Sequence, residues 1–197
     1  MIRCYRIPFS TNVERVALAA GHKGVPIEWI GVDPEDRSLV QEISGQSLVP
    51  VVVVGGEVLT DSPRIVAWLE ERFPDPPLYP RETARRAEVE TFVDWFNLQW
   101  KRAPNLIAAG VEDADKHAAR MREAIGRFEA LLDGRDYLFG EFGVADVMAF
   151  PFLKYASFGT PEGDDELFHR ILVEEQPLRE DSPLHAWARR VDARPRS

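Results

Sequence analysis

The chain has 197 residues and a formal net charge of −9. That acidic balance argues against a nucleic-acid partner, which needs clustered Lys and Arg, and means that any anionic ligand must be held by local donors. A hydrophobic share of 45% with 29% charged residues suits a soluble protein of one large or two small domains, and the single cysteine, Cys4, excludes an internal disulfide or a multi-cysteine metal site.

The first residues carry charges and no apolar signal core, and no apolar run reaches the ~20 residues that span a bilayer, so the expected compartment is the cytosol. Ile2 to Ile7 reads as a strand, with Cys4 a small buried hydrophobe inside it. A helix follows from Ser10-Thr11-Asn12, and Thr11 with Glu14 fits a capping box. Gly24 ends it, with His22 and Lys23 in its last turn. Ile27 to Val32 predicts a second strand and Arg37 to Ile43 a short helix. Val51 to Val54 is a buried strand because β-branched residues suit a pleated surface, and Gly55-Gly56 supplies a two-residue hairpin. Val58 and Leu59 begin the return strand. Asp61-Ser62-Pro63 then opens a helix with Ser62 as N-cap and Pro63 in the first turn, with Ile65, Val66 and Leu69 facing inward.

This β-α-β-α-β-β-α order predicts an α/β, thioredoxin-like N-terminal domain over residues 1–74, with a mixed four-stranded sheet. A stiff Pro-rich linker, 75–81, follows. Residues 82–197 read as an all-α C-terminal bundle. It begins with a long helix from Arg81 to Lys101, interrupted or kinked by Pro104. A second carries Met121, Ile125 and Phe128, capped by Asp113. An apolar helix covers Gly143 to Tyr155, and an amphipathic one Pro183 to Val191. The acidic stretch from Thr160 to Glu180 has no clear period.

Val49-Pro50, the hairpin and Asp61-Ser62 before an amphipathic helix together resemble the glutathione-binding half of the glutathione S-transferase family. The segment from Ser10 to Val16, STNVERV, is similar to its serine-type members, especially the plant phi class. The likeness extends into the helical half. Tyr137 to Gly140 followed by Val144-Ala145-Asp146 is similar to the family's folding motif, with Gly143 replacing the capping hydroxyl. The resemblance implies a cis peptide bond at Val49-Pro50 and glutathione as co-substrate. It implies that Val49 main-chain groups hold the cysteinyl unit, and that Asp61 and Ser62 hold the γ-glutamyl end. It also implies a cytoplasmic homodimer engaged in detoxification.

Ser10 is the candidate thiolate donor, where a hydroxyl and a helix N-terminus act together; Thr11 is its neighbour in the same role, and a plain N-cap is the alternative reading of Ser10. Arg37 is either a partner for the glycyl carboxylate or a solvated side chain. Leu48 stands where many relatives place Gln or Lys. Phe9, Trp95, Asn97, Trp100 and Pro104 are candidate walls of an electrophile pocket, against core packing as the simpler fate. The four histidines have no metal-ligand spacing, so no metal is expected. The implied activity is attack of a small-molecule thiol, glutathione or a related one, on hydrophobic electrophiles, without nucleic-acid or membrane partners. A glutathione-dependent isomerase or dehalogenase and a non-catalytic binding module of the same fold are the alternatives.

Overall fold

The computed structural model describes residues 1–197, which divide into two compact units: Met1–Leu78 with Arg194–Ser197, and Tyr79–Ala193. The first unit contains β1 (Ile2–Arg6), α1 (Thr11–His22), β2 (Glu28–Gly31), α2 (Ser38–Ser44), β3 (Val51–Val54), β4 (Glu57–Thr60) and α3 (Ser62–Arg72). Its sheet runs β2-β1-β3-β4, with β1 and β2 parallel and the other neighbours antiparallel. This is the mixed, thioredoxin-like sheet expected. Gly55 and Gly56 both have positive φ (57° and 88°), as a tight hairpin between two right-twisted strands requires. Tyr5, Val13, Val32, Val40, Val49 and Val51 form a core cluster in this unit.

Helix ends depart from the sequence reading in two places. Ser10, not Thr11, caps α1: its Oγ accepts from Val13 N–H at 3.4 Å. Thr11 is the first helical residue and is buried, while Glu14 pairs with Arg196 at 2.9 Å. In α3 the N-cap is Asp61, with φ of 70°, so Ser62 is already helical. The difference arises because Ser62 turns inward against α1 instead of folding back on its own helix.

The final four residues, expected in the helical domain, pack on the first unit. Ser197 accepts from Trp29 Nε1 at 2.7 Å through its carbonyl and from Ile27 N–H at 2.9 Å through its hydroxyl. Lys23, buried at the end of α1, pairs with Glu70 at 2.6 Å and donates to the carbonyls of Phe73 and Pro76, and Glu70 accepts from Leu78 N–H. These bonds bind the start of the Pro-rich stretch to the first unit.

The second unit is all helical: α4 (Thr83–Trp95), a π-turn (Phe96–Trp100), α5 (Arg102–Ala108), α6 (Ala114–Leu131), α7 (Val144–Leu153), α8 (Tyr155–Phe158), α9 (Leu167–Glu174) and α10 (Pro183–Asp192). Pro104 does not make the break. The long first helix changes register upstream, where Lys101 N–H reaches Phe96 O at 2.8 Å in an i→i−5 bond, and Pro104 lies inside α5. Asp113 stands at the N-cap of α6 without a side-chain cap bond. No helix is long and apolar enough to cross a membrane.

The folding motif centres on Asp146, fully buried in α7. Its Oδ2 accepts from Gly143 N–H at 3.0 Å, and its Oδ1 from Leu138 N–H at 3.1 Å and Trp187 Nε1 at 2.7 Å. Burial pushes this carboxyl up to about 6, against the pull of those hydrogen bonds. One side chain thus joins the 138–143 loop, α7 and α10.

Candidate functional site

Strand pairing brings three separate segments to one end of the first sheet. Tyr5 of β1 pairs with Val51 of β3, and Val51 with Thr60 of β4. The β1–α1 turn with Phe9 and Ser10, the entry to β3 with Val49-Pro50, and the β4–α3 turn with Asp61 and Ser62 therefore lie together. Val49-Pro50 is cis, and neither the N–H nor the carbonyl of Val49 is bonded within the protein. Free main-chain groups beside two helix N-termini are a ready set of donors and acceptors for an extended peptide with a carboxylate.

Strain marks the same place. Phe9 and Asp61 are the two non-glycine residues with positive φ, at 56° and 70°. Such conformations cost on the order of 1 kcal/mol or more each and cluster at ligand sites. Asp61 is exposed; its carbonyl accepts from Ile65 N–H at 3.0 Å, but its carboxylate makes no hydrogen bond and is open to an ammonium group.

Ser62, by contrast, is committed below the surface. Its hydroxyl donates to Asn12 Oδ1 at 3.2 Å and accepts from Arg15 Nη1 at 3.3 Å; Arg15 Nη1 also donates to Asn12 Oδ1 at 3.4 Å. Arg15 is wholly buried, and burial brings its guanidinium down to about 9, still protonated at neutral pH, with Asp61 favouring the charge. Ser62 retains its N–H, at the first residue of α3, for a carboxylate. Sequence reading missed Asn12 and Arg15. The signal was present: Arg15 follows Thr11 and precedes Ala19 by four residues, on the stripe that α1 buries.

Ser10 is half-buried at the mouth of α1. Its cap bond uses an oxygen lone pair, which leaves the hydroxyl hydrogen to donate. Thr11 is buried beneath it. Arg37 instead serves its own loop, donating to the carbonyls of Pro34 at 3.1 Å and Ser47 at 3.4 Å. Leu48 is 63% exposed and Phe9 40% exposed, two apolar side chains beside the free Val49 backbone. Cys4 is no nucleophile here: burial pushes its thiol up to about 12.

The remaining candidates belong to the second unit. Trp95 and Trp100 line one cleft of about 750 Å³ between the α4–α5 helical run and α6. Asn97, whose amide donates to Val93 O at 2.9 Å, and Pro104, which is buried, are not among its walls. No group of three His, Cys, Asp or Glu is placed to hold a metal ion.

The family models for the glutathione S-transferase N-terminal and C-terminal domains match residues 5–77 and 80–190. The chain belongs to the glutathione S-transferase family. Among curated members, it is 33% identical over 92 residues to a maleylpyruvate isomerase from Ralstonia sp., covering 45% of this chain and 43% of that one. It is 31% identical over 124 residues to a probable maleylacetoacetate isomerase from Caenorhabditis elegans, covering 61% of this chain and 52% of the relative. The matches thus span about half the length of these relatives. Among solved structures of this transferase fold, the beta-etherase LigF from Sphingobium sp. strain SYK-6 superposes with a TM-score of 0.80 at 20% identity, covering 98% of this chain and 96% of that one.

Proposed function

We propose that this glutathione S-transferase family member binds glutathione at the end of the first sheet and activates its thiol for attack on a small hydrophobic electrophile. The observation that carries the reading is the convergence of Ser10, the unbonded main chain of Val49 and the Asp61-Ser62 helix start. The cysteinyl unit pairs with Val49 as an added strand would, with Pro50 behind it. Asp61 holds the γ-glutamyl ammonium, and the Ser62 N–H its carboxylate. Arg37 sits near the glycyl end but is engaged with its own loop, so that end is held loosely.

Ser10 donates its hydroxyl hydrogen to the sulfur and lowers the thiol pKa. A free thiol of pKa ~8.5 is only about 3% ionised at pH 7. Lowering it by ~2 units raises that fraction roughly 25-fold, while nucleophilicity falls about 8-fold for a Brønsted slope of ~0.45. The net gain is only ~3-fold by these numbers, so positioning beside the electrophile supplies the rest. In the transfer, the sulfur–carbon bond forms, the leaving group departs with its electron pair, and the thiol proton goes to solvent. Phe9, 40% exposed next to Ser10, offers apolar surface to the electrophile.

A second reading is a glutathione-dependent isomerase, favoured by the names of the two relatives above. There the thiolate would add to a conjugated double bond and leave again after rotation, with no net consumption of thiol. The family likeness also supports a cytoplasmic homodimer, which gel filtration checks by mass.

The test is retention on immobilised glutathione together with turnover of chlorodinitrobenzene and of a cis-configured unsaturated diacid. Retention with either turnover supports the site. Failure to be retained or to turn over either substrate overturns it.

A further inference from the structure

Residues 194–197 lie along α1, from its last turn back toward its first. Arg194 Nη2 meets His22 Nδ1 at 2.9 Å, and the Pro195 carbonyl lies against Gly21. Ser197 N–H donates to Ala17 O at 3.2 Å, and Arg196 Nη2 pairs with Glu14 Oε1 at 2.9 Å. Ser197 also accepts from Ile27 N–H and from Trp29 Nε1. These four residues thus strap the helix whose mouth carries Ser10 to the edge strand β2.

The His22 contact admits only one protonation state. A guanidinium has N–H donors and no acceptor, so Nδ1 must offer its lone pair to Arg194. The Pro77 carbonyl, 3.3 Å from Nε2, can only accept, so the single ring proton sits on Nε2. A second proton would land on Nδ1 and set N–H against N–H and cation against cation.

The surroundings act in the same sense. His22 is half-buried, and burial lowers its pKa from 6.5; Arg194 and the neighbouring Lys23 lower it further, while the Pro77 carbonyl and Glu70 of α3 pull weakly the other way. The released tail therefore binds the proton more tightly than the strapped one. The contact is at full strength above pH 6.5 and weakens as pH falls below it.

We propose that His22 and Arg194 form a proton-sensitive latch: uptake of a proton at His22 Nδ1 expels the Arg194 guanidinium and frees residues 194–197 from α1. The latch needs neither Ser10 nor glutathione, so loss of thiol turnover leaves it standing, and its failure leaves the Ser10 site standing.

The experiment is an NMR titration of the full chain from about pH 8 to about pH 5, following the His22 ring nitrogens, Trp29 Nε1–H and Ser197 N–H. The Nε2–H tautomer is expected at the alkaline end, with a His22 midpoint below 6.5. Trp29 Nε1–H and Ser197 N–H should lose roughly tenfold or more of their exchange protection at the same midpoint. His22→Asn places a carbonyl oxygen where Nδ1 stands and accepts from Arg194 at every pH, so it should keep both groups protected throughout. Arg194→Gln should raise the His22 midpoint. An Nδ1–H tautomer, a midpoint at or above 6.5, protection that survives protonation of His22, or the same loss in His22→Asn would each overturn the latch. Should His22→Asn fail to fold, the tautomer and the shared midpoint in the wild type still decide.

Discussion

The buried guanidinium of Arg15 donates to Ser62 Oγ at 3.3 Å, tying the middle of α1 to the first residue of α3. Asn12 completes the triangle by accepting from both. The two helix mouths that would cradle a γ-glutamyl group are thus locked to each other by a charge that never reaches solvent. Arg15→Met should therefore act in two ways. Loss of charge-assisted hydrogen bonds should lower stability by about 2–3 kcal/mol in urea unfolding. The KM for glutathione should rise several-fold with a smaller fall in kcat, because Ser62 is freed while Ser10 is untouched. A fall in kcat alone would remove Arg15 from any positioning role.

Ser10 carries a cap and, in our reading, a catalytic hydrogen bond, and two substitutions separate them. Ser10→Ala should cost about 1 kcal/mol of stability, whereas Ser10→Gly should cost only a few tenths. Both remove the hydroxyl. Equal loss of kcat in the two variants, with KM for glutathione nearly unchanged, is the expected result. Activity that tracks stability instead would assign Ser10 to the cap alone.

Asp146 makes stability depend on pH in the unusual direction for a carboxyl. Its folded pKa is raised from 3.8 to about 6, so the native state holds the proton more tightly than the unfolded chain. The contribution is fully present below about pH 4 and is lost as pH rises through 6, an effect of roughly 3 kcal/mol at most. The unfolding free energy of the wild type minus that of Asp146→Asn should shrink across this window. Asp146→Ala at neutral pH strands the Leu138 and Gly143 N–H groups and Trp187 Nε1, and should cost about 3–5 kcal/mol.

Gly21 is where the chain's last residues press closest. A Cβ there would stand 2.2 Å from the carbonyl oxygen of Pro195, a backbone atom that cannot rotate away. Gly21→Ala should displace 194–197, break the Trp29–Ser197 bond and expose the tail to carboxypeptidase. Trp29 emission should shift to the red. A tail as protected as in the wild type would show that α1 moves instead.

The thiol of Cys4, buried and held at about 12, should resist Ellman's reagent in the native state and react fully in denaturant. Rapid native reaction would contradict the burial of β1.

Much of this protein was settled by local pattern. The valine run, the double glycine and the acid-serine pair specify strand, hairpin and helix start through neighbours in sequence. Those are short-range preferences of backbone and side chain. Local pattern also pointed to Ser10 and Asp61, because helix mouths carry recognisable residues. Only the structure showed that Ser10 caps α1 and that Glu14 pairs with Arg196, almost the length of the chain away. It decided that Ser62 faces Arg15 and that a π-turn, not Pro104, breaks the long helix. Each of those outcomes depends on what the rest of the chain brings near a side chain. No window of neighbouring residues contains that information, because burial and charge pairing act through space.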